Sequence, residues 1–245
     1  MTRRRAFIAV FGGALVGLSA NLRAQGQVTP RRIGTLSPFP LAAVEAFLSQ
    51  LRPELEKLGW TDGRNIVLFE PRTTAGDYTR LPSVAAELVA QGPDLILVQS
   101  IPATRAVMQA TKSIPIVMVG VATPVELGIV ADYKKPGGNV TGASYLADEY
   151  ARKLLQLLKE AAPGLRSVAV FANPSNEAAD VFSKQMRADA VALGTQAQIV
   201  EVRGPGDFEA AFAAIRSANT QAILLPPEPL ILSKREAIAA FAQTH

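Results

Sequence analysis

Short apolar runs alternate with longer amphipathic ones along most of this chain, and no other feature limits its fold as strongly. Arg32–Ser37, Asn65–Glu70, Asp94–Gln99 and Ile114–Val119 have the length and composition of strands, whereas apolar residues recur with helical spacing over Leu41–Leu58, Leu81–Gln91 and Ala103–Thr111. Strand, helix and strand in that order pair most simply in parallel, with the helix as the crossover. Gly59 and Gly92 fall just past the helix ends, where glycine takes the left-handed conformation cheaply, and Pro82 suits a first helical turn. A fourth helix is expected over Val125–Asp132, followed by a short strand over Asn139–Thr141.

The pattern then restarts. Helix Asp148–Ala162, strand Ser167–Ala172, helix Glu177–Leu193, strand Gln198–Val202, helix Phe208–Ala218, strand Gln221–Leu225 and a helix from Ser233 follow in turn. Two such series meeting near Gly142 predict an α/β fold of two similar lobes with parallel sheets, over residues 25–143 and 144–245. The second series is shorter and reaches His245 inside an amphipathic pattern, which predicts a second lobe that is truncated in this chain or completed by a partner.

Residues 1–24 stand apart from this pattern. Arg3, Arg4 and Arg5 precede the uncharged run Ala6–Ala20, which is too short for a bilayer that needs about 20 apolar residues. A charged start, an apolar middle and a small-residue end make a secretory signal, and Arg4-Arg5-Ala6-Phe7-Ile8 resembles the twin-arginine type. Cleavage after Ala24 predicts a soluble periplasmic protein, and a chain without cysteine has neither a lipid attachment point nor a disulfide. Without the leader's four arginines, Lys+Arg falls from 25 to 21, equal to the 21 Asp+Glu. A nucleic-acid binder carries its basic stripe on the folded domain, so nucleic acid is not an expected partner.

The residue inventory also limits chemistry. With no cysteine and the single histidine at His245, thiolate nucleophiles, Ser-His-Asp triads and His-bearing metal sites have no residues to build them. Glu126, Asp132, Asp180 and Glu228 come from separate segments with no spacing that catalysis requires, and read as solvated surface acids. No catalytic residue, metal or cofactor is expected.

The stretch Lys134–Leu146, KKPGGNVTGASYL, admits three readings: a phosphate loop, a glycosylation sequon or a bend. Pro136-Gly137-Gly138-Asn139 has neither G-x-G-x-x-G spacing nor a Walker pattern, and it runs into a strand where a phosphate loop runs into a helix. The sequon at Asn139 is set aside as a chance tripeptide. A tight turn before a strand that crosses between lobes remains.

Open parallel sheets bind ligands beyond the carboxyl ends of their strands. That rule marks Ser37-Pro38-Phe39-Pro40, Ser100-Ile101-Pro102-Ala103-Thr104, Ala122-Thr123-Pro124, Asn173-Pro174-Ser175-Asn176 and Pro226-Pro227-Glu228-Pro229. Helix capping alone is the competing reading at each loop, but all five share a small, polar, proline-stiffened character. Ser37, Ser100, Thr104 and Thr123 of the first lobe, with Asn173, Asn176 and Glu228 of the second, are the principal candidates. No Lys or Arg lies in the first-lobe loops, so an anionic ligand group there would meet hydroxyls and helix N-termini carrying about half a charge each. A carboxylate suits that setting; a multiply charged phosphate does not.

Pro124-Val125, Leu127-Gly128-Ile129-Val130 and Lys135-Pro136-Gly137-Gly138-Asn139-Val140-Thr141-Gly142 together resemble a signature of ABC transporter substrate-binding proteins of the tryptophan/tyrosine type. Leu55-Glu56-Lys57-Leu58-Gly59-Trp60, Gly63-Arg64-Asn65, Pro229-Leu230 and Ser233-Lys234-Arg235-Glu236 match as well, so the resemblance spans essentially the whole chain. It implies a type I periplasmic-binding fold of two Rossmann-like lobes, a monomer that holds a small-molecule solute in the cleft and serves ABC permease and ATPase subunits. Gly137 and Gly138 would turn the chain into the first crossing, Gly142 to Ser144 would be hinge, and Tyr145 would face the cleft or pack at the boundary. Two positions depart from the family: Thr123 stands where aspartate is usual, beside the pocket, and members continue past the position of His245. A ligand-sensing ectodomain and a truncated product that does not bind are the alternatives; an α/β enzyme is disfavoured by the residue inventory.

Overall fold

The structure, a computed structural model, describes residues 29–245. The leader assigned to residues 1–24 lies outside the described residues. β1 (Arg31–Ser37) is buried from Gly34 to Ser37 without alternation, the mark of a parallel strand covered on both faces. After it come α1 (Leu41–Lys57), β2 (Ile66–Leu68), β3 (Arg72–Thr73), a 3₁₀ turn at Tyr78–Arg80, α2 (Leu81–Ala90), β4 (Leu95–Gln99), α3 (Ile101–Ala110), β5 (Ile116–Ala122) and β6 (Val140–Tyr145). These strands form one parallel sheet in the order β2-β1-β4-β5-β6, with β3 pairing the carboxyl end of β1.

α2 shows how the apolar spacing builds this half. Leu81, Val84, Ala85 and Leu88 form one buried stripe, and Leu88 seats against Gly34, where an added Cβ would come to 2.8 Å from Leu88 Cδ1. Each large side chain buried this way stabilises the fold by about 1.5–3 kcal/mol.

Two expectations for this half are revised. Val125–Asp132 is a series of turns and not a helix: Leu127 N–H reaches Thr123 O at 3.1 Å, and Gly128 then enters the left-handed region at φ +63°, which ends the winding. Its apolar residues nevertheless pack on the first core through Val125, Leu127, Ile129 and Val130. The strand expected over Asn139–Thr141 runs on to Tyr145, pairing with β5 as far as Ala122. Gly137 and Gly138 make the turn that precedes it, at φ +71° and +62°. Gly142 meets a different demand, since a Cβ there would lie 2.0 Å from Met118 O.

The second sheet is built from α4 (Ala147–Ala161), β7 (Ser167–Ala172), α5 (Ala178–Ala192), β8 (Gln196–Glu201), α6 (Phe208–Ser217), β9 (Ala222–Leu224), α7 (Pro229–Ser233) and α8 (Arg235–Thr244). Its order is β8-β7-β9, all parallel. The two-residue period of β7 divides the core: Val168 and Val170 pack with Leu155, Phe182 and Met186, whereas Ala169 and Phe171 pack with Phe208, Phe212 and Leu230. The helix expected from Ser233 is α8, which starts at Arg235; α7 is a separate short helix before it, divided from it by Lys234 at φ −108°, ψ 11°. Among the described residues no helix is long and apolar enough to cross a membrane.

Candidate functional site

The carboxyl ends of both sheets meet. From the first come Ser37 at the end of β1, Thr74 after β3, Ser100 after β4, Thr123 after β5 and Tyr145 at the end of β6; from the second come Asn173 after β7 and Glu228 at the start of α7. Contacts join the two edges directly. Tyr78 O–H donates to Glu228 Oε1, Arg105 grips Glu177 with Nε and Nη2 at 3.0 and 2.8 Å, and Gly76 packs against the Leu230 backbone.

Glu228 is the centre of the second edge. The expectation of a solvated surface acid is wrong for it, since only 4% of its surface is exposed, whereas Glu126, Asp132 and Asp180 are exposed as expected. Its position caps α7: Oε2 accepts from Ile231 N–H at 2.9 Å, and Oε1 accepts from Asn173 Nδ2 at 3.0 Å besides Tyr78. Burial raises the Glu228 carboxyl pKa, against the lowering pull of Tyr78, Ile231 and Asn173. Burial first and the Glu228 charge second push the Tyr78 phenol far above its ordinary value, so it stays a donor. Asn173 Oδ1 in turn accepts from Ser175 N–H at 3.0 Å, and Asn176 Oδ1 accepts from Ala178 N–H at 3.2 Å. Every polar candidate on this edge therefore has an internal partner, and for Asn176 that partner is the first N–H of α5.

The first edge is different. Ser37 Oγ donates to Gln99 Oε1 at 2.7 Å, and Thr104 Oγ1 donates to Ser100 O at 2.7 Å, so both are engaged. Thr74 Oγ1, Ser100 Oγ and Thr123 Oγ1 are buried with no hydrogen-bond partner. An unmet buried hydroxyl costs about 1–3 kcal/mol, and three of them line one sheet edge. Ser100 also sits at φ +76°, ψ 159°, a region essentially reserved for glycine, and Thr123 at φ +41°. Ile101, Ala103 and Ala122 are core side chains, Pro38 is buried with its carbonyl accepting from Gly76 N–H at 2.7 Å, and Pro102 is half-buried in the first turn of α3. Arg72, on β3 beside Leu36, adds a buried Nε without a partner to the edge that the loops alone left without a cation.

Between the edges lies a cavity of about 30 Å³ bounded by Tyr145, Phe171, Asn173, Phe182 and Glu228, room for about one water. Burial pushes the Tyr145 phenol up to about 12, with Tyr150 adding to the shift. A separate open groove of about 570 Å³ is lined by Thr123, Glu126, Leu146, Asp148 and Lys184. Among the described residues no cluster of His, Asp and Glu has the makings of a metal site. Sequence reasoning missed Thr74, Tyr78 and Gln99. Thr74 and Tyr78 follow a two-residue strand with no periodicity of its own; the signal that marks the turn at Tyr78 is Asp77-x-Thr79, where Asp77 Oδ1 accepts from Thr79 N–H at 3.0 Å.

Comparison with known proteins adds three findings. The family described as ABC transporter substrate binding protein matches residues 42–245. A tyrosine-binding protein of Clostridioides difficile is 39% identical over 122 residues, which is 49% of this chain and 34% of that relative, so the match spans about a third of the relative's length. Among solved structures, an ABC domain in complex with L-Trp from Streptococcus pneumonia superposes with a TM-score of 0.78 at 23% identity, over 88% of this chain and 72% of that one. The ligand-free, open structure of a substrate binding protein with adhesive properties from Clostridium difficile gives 0.57 at 26% identity, over 87% and 71%.

Proposed function

Because this chain belongs to the ABC transporter substrate binding protein family, we propose that it is exported, captures a small solute between two lobes, and delivers it to the permease and ATPase of an importer. With the leader 1–24 removed, it works as a soluble periplasmic monomer of lobes 25–143 and 144–245, and performs no chemistry on its cargo. The observation that carries this reading is the row of buried, unbonded hydroxyls of Thr74, Ser100 and Thr123 at the edge where the two sheets meet. A solute carboxylate there accepts from the hydroxyls of Ser100 and Thr123, on the neighbouring strands β4 and β5, and from the first-turn N–H groups of α3, whose N-terminus carries about half a positive charge; Thr74, on the far side of β1, is left for another polar group of the solute.

Entry requires the lobes to part, which breaks Tyr78–Glu228 and Arg105–Glu177 together. Of the expected hinge residues, Gly142 and Ser144 lie in β6, paired with β5, and Gly137 and Gly138 in the turn before it, so the rotation would fall on the chain just past Tyr145, since lobes rotate about a few residues that absorb the backbone change. Solute shifts the balance toward closure only by its preference for the closed state. Micromolar binding supplies about 8 kcal/mol in all; two hydroxyl contacts at about 1 kcal/mol each leave the larger share to apolar burial. The superposition with the L-Trp complex and the named specificity of the tyrosine-binding relative favour an amino acid or a related compound.

Native mass spectrometry of the exported protein tests this reading. A one-to-one adduct with a small molecule is expected. Bare protein, with no thermal shift against a panel of small carboxylates, would contradict it.

A further inference from the structure

An ammonium group brought out of water needs acceptors and usually a carboxylate, or it costs several kcal/mol. Among the described residues Glu228 is the one acid in the buried set. Its oxygens already accept from Tyr78, Asn173 Nδ2 and Ile231 N–H, with the Leu230 N–H also within reach. A carboxylate offers about four lone-pair sites, so Glu228 has none left to give. Glu177 is held on both oxygens by Arg105. Asp77 accepts from Thr79 N–H and Oγ1 at 3.0 and 2.6 Å, and exposed Glu126 accepts from Tyr133 O–H at 2.8 Å. Glu126 and Asp148 both line the open groove beside Thr123, outside the buried cavity, and Asp148 stands in the first turn of α4, where the helix N-terminus already offsets its charge, and across from Lys184.

The opposite sign is well served. Thr74, Ser100 and Thr123, each more than nine-tenths buried, have free hydroxyls, and Arg72 has a buried free Nε. Tyr145, Phe171 and Phe182 line the cavity with apolar surface.

We propose that the solute is a monocarboxylate with an apolar body and no ammonium group, the desamino counterpart of an amino acid. This rests on the solute-binding reading above. The carboxylate takes the neighbouring hydroxyls of Ser100 and Thr123, and the apolar body lies against the aromatic lining once parting of the lobes has widened the cavity between them. An aspartate in place of Thr123 would remove one donor to the carboxylate, repel it, and offer a counter-charge to an ammonium, and aspartate tolerates the φ of +41° better than a β-branched residue does.

Calorimetry on the exported protein with matched pairs tests this: 3-(4-hydroxyphenyl)propionate against L-tyrosine, indole-3-propionate against L-tryptophan, and aliphatic pairs of the same design. The acid without the ammonium is expected to bind at least about tenfold more tightly in the pair that fits best. Thr123→Asp is expected to shift that ratio toward the amino acid by a similar factor. Equal or tighter binding of the amino acid overturns the proposal while leaving solute binding intact, and its loss in Asp148→Asn identifies Asp148 as the counter-charge overlooked. A ratio unmoved by Thr123→Asp overturns the place given to Thr123. Binding of neither member of any pair removes the solute-binding reading, and this inference with it.

Discussion

The two sheet edges that meet in this molecule are made differently. On the second edge Asn173, Asn176 and Glu228 all have partners inside the protein, whereas the first edge keeps three buried hydroxyls unbonded and three non-glycine residues, Ala75, Ser100 and Thr123, at positive φ. One edge is finished without a ligand and the other is not. A polar group left unmet at a strained backbone position costs stability, and it persists where something outside the chain completes it. The second edge instead supplies the grip, through Glu228 on Tyr78 and Glu177 on Arg105.

Substitutions can separate these roles. The largest effect is expected from Gly142→Ala, which drives a Cβ toward Met118 O and breaks the β5–β6 pairing behind the first edge, at about 4 kcal/mol in urea unfolding. Glu228→Ala leaves Tyr78 and Asn173 without their acceptor and uncaps α7, costing about 3 kcal/mol by the same measurement. Ser100→Gly works in the other direction: it relieves a conformation suited to glycine and stabilises the fold by about 1 kcal/mol, while weakening solute binding. A serine whose removal costs stability would place it with the finished edge. Arg105→Ala removes a partly exposed ion pair and is expected to cost about 0.5 kcal/mol, less at high salt.

pH sharpens the same contrast. The folded-state pKa of Glu228 is raised above 4.5 by burial, so its contribution is fully present below 4.5 and is lost as pH rises through the folded value. Unfolding free energy of the wild type relative to Glu228→Gln should therefore decline as pH rises from 4.5. Asp94 and Asp207, whose carboxyls are lowered by backbone N–H groups, act in the opposite sense below 3.8 and cancel in that difference.

Much of this fold is legible along the chain, and the reason is periodicity. β7 was read at Ser167–Ala172, the bounds it has, because both faces of that strand are buried and the apolar run is unbroken. Gly59 and Gly92 mark helix ends, and both adopt positive φ. Val125–Asp132 failed because its apolar residues serve a winding loop that Gly128 interrupts. The site was half legible. Ser100 and Thr123 follow from the position of strand ends, but Thr74 and Tyr78 come from an aperiodic turn. Glu228 finds Tyr78 across 150 residues of sequence, and nothing local announces that a proline-flanked acid will be buried.

The central claim is that the unfinished edge is completed by a solute on which the two halves close. Spin labels placed by Glu126→Cys and Lys184→Cys, beside the open groove on either half of a chain with no native cysteine, report the separation directly by pulsed electron resonance. A long or mixed distance distribution in solute-free protein that collapses to one short distance on adding the bound carboxylate is the predicted result. A distribution that bound solute leaves unchanged would contradict the account.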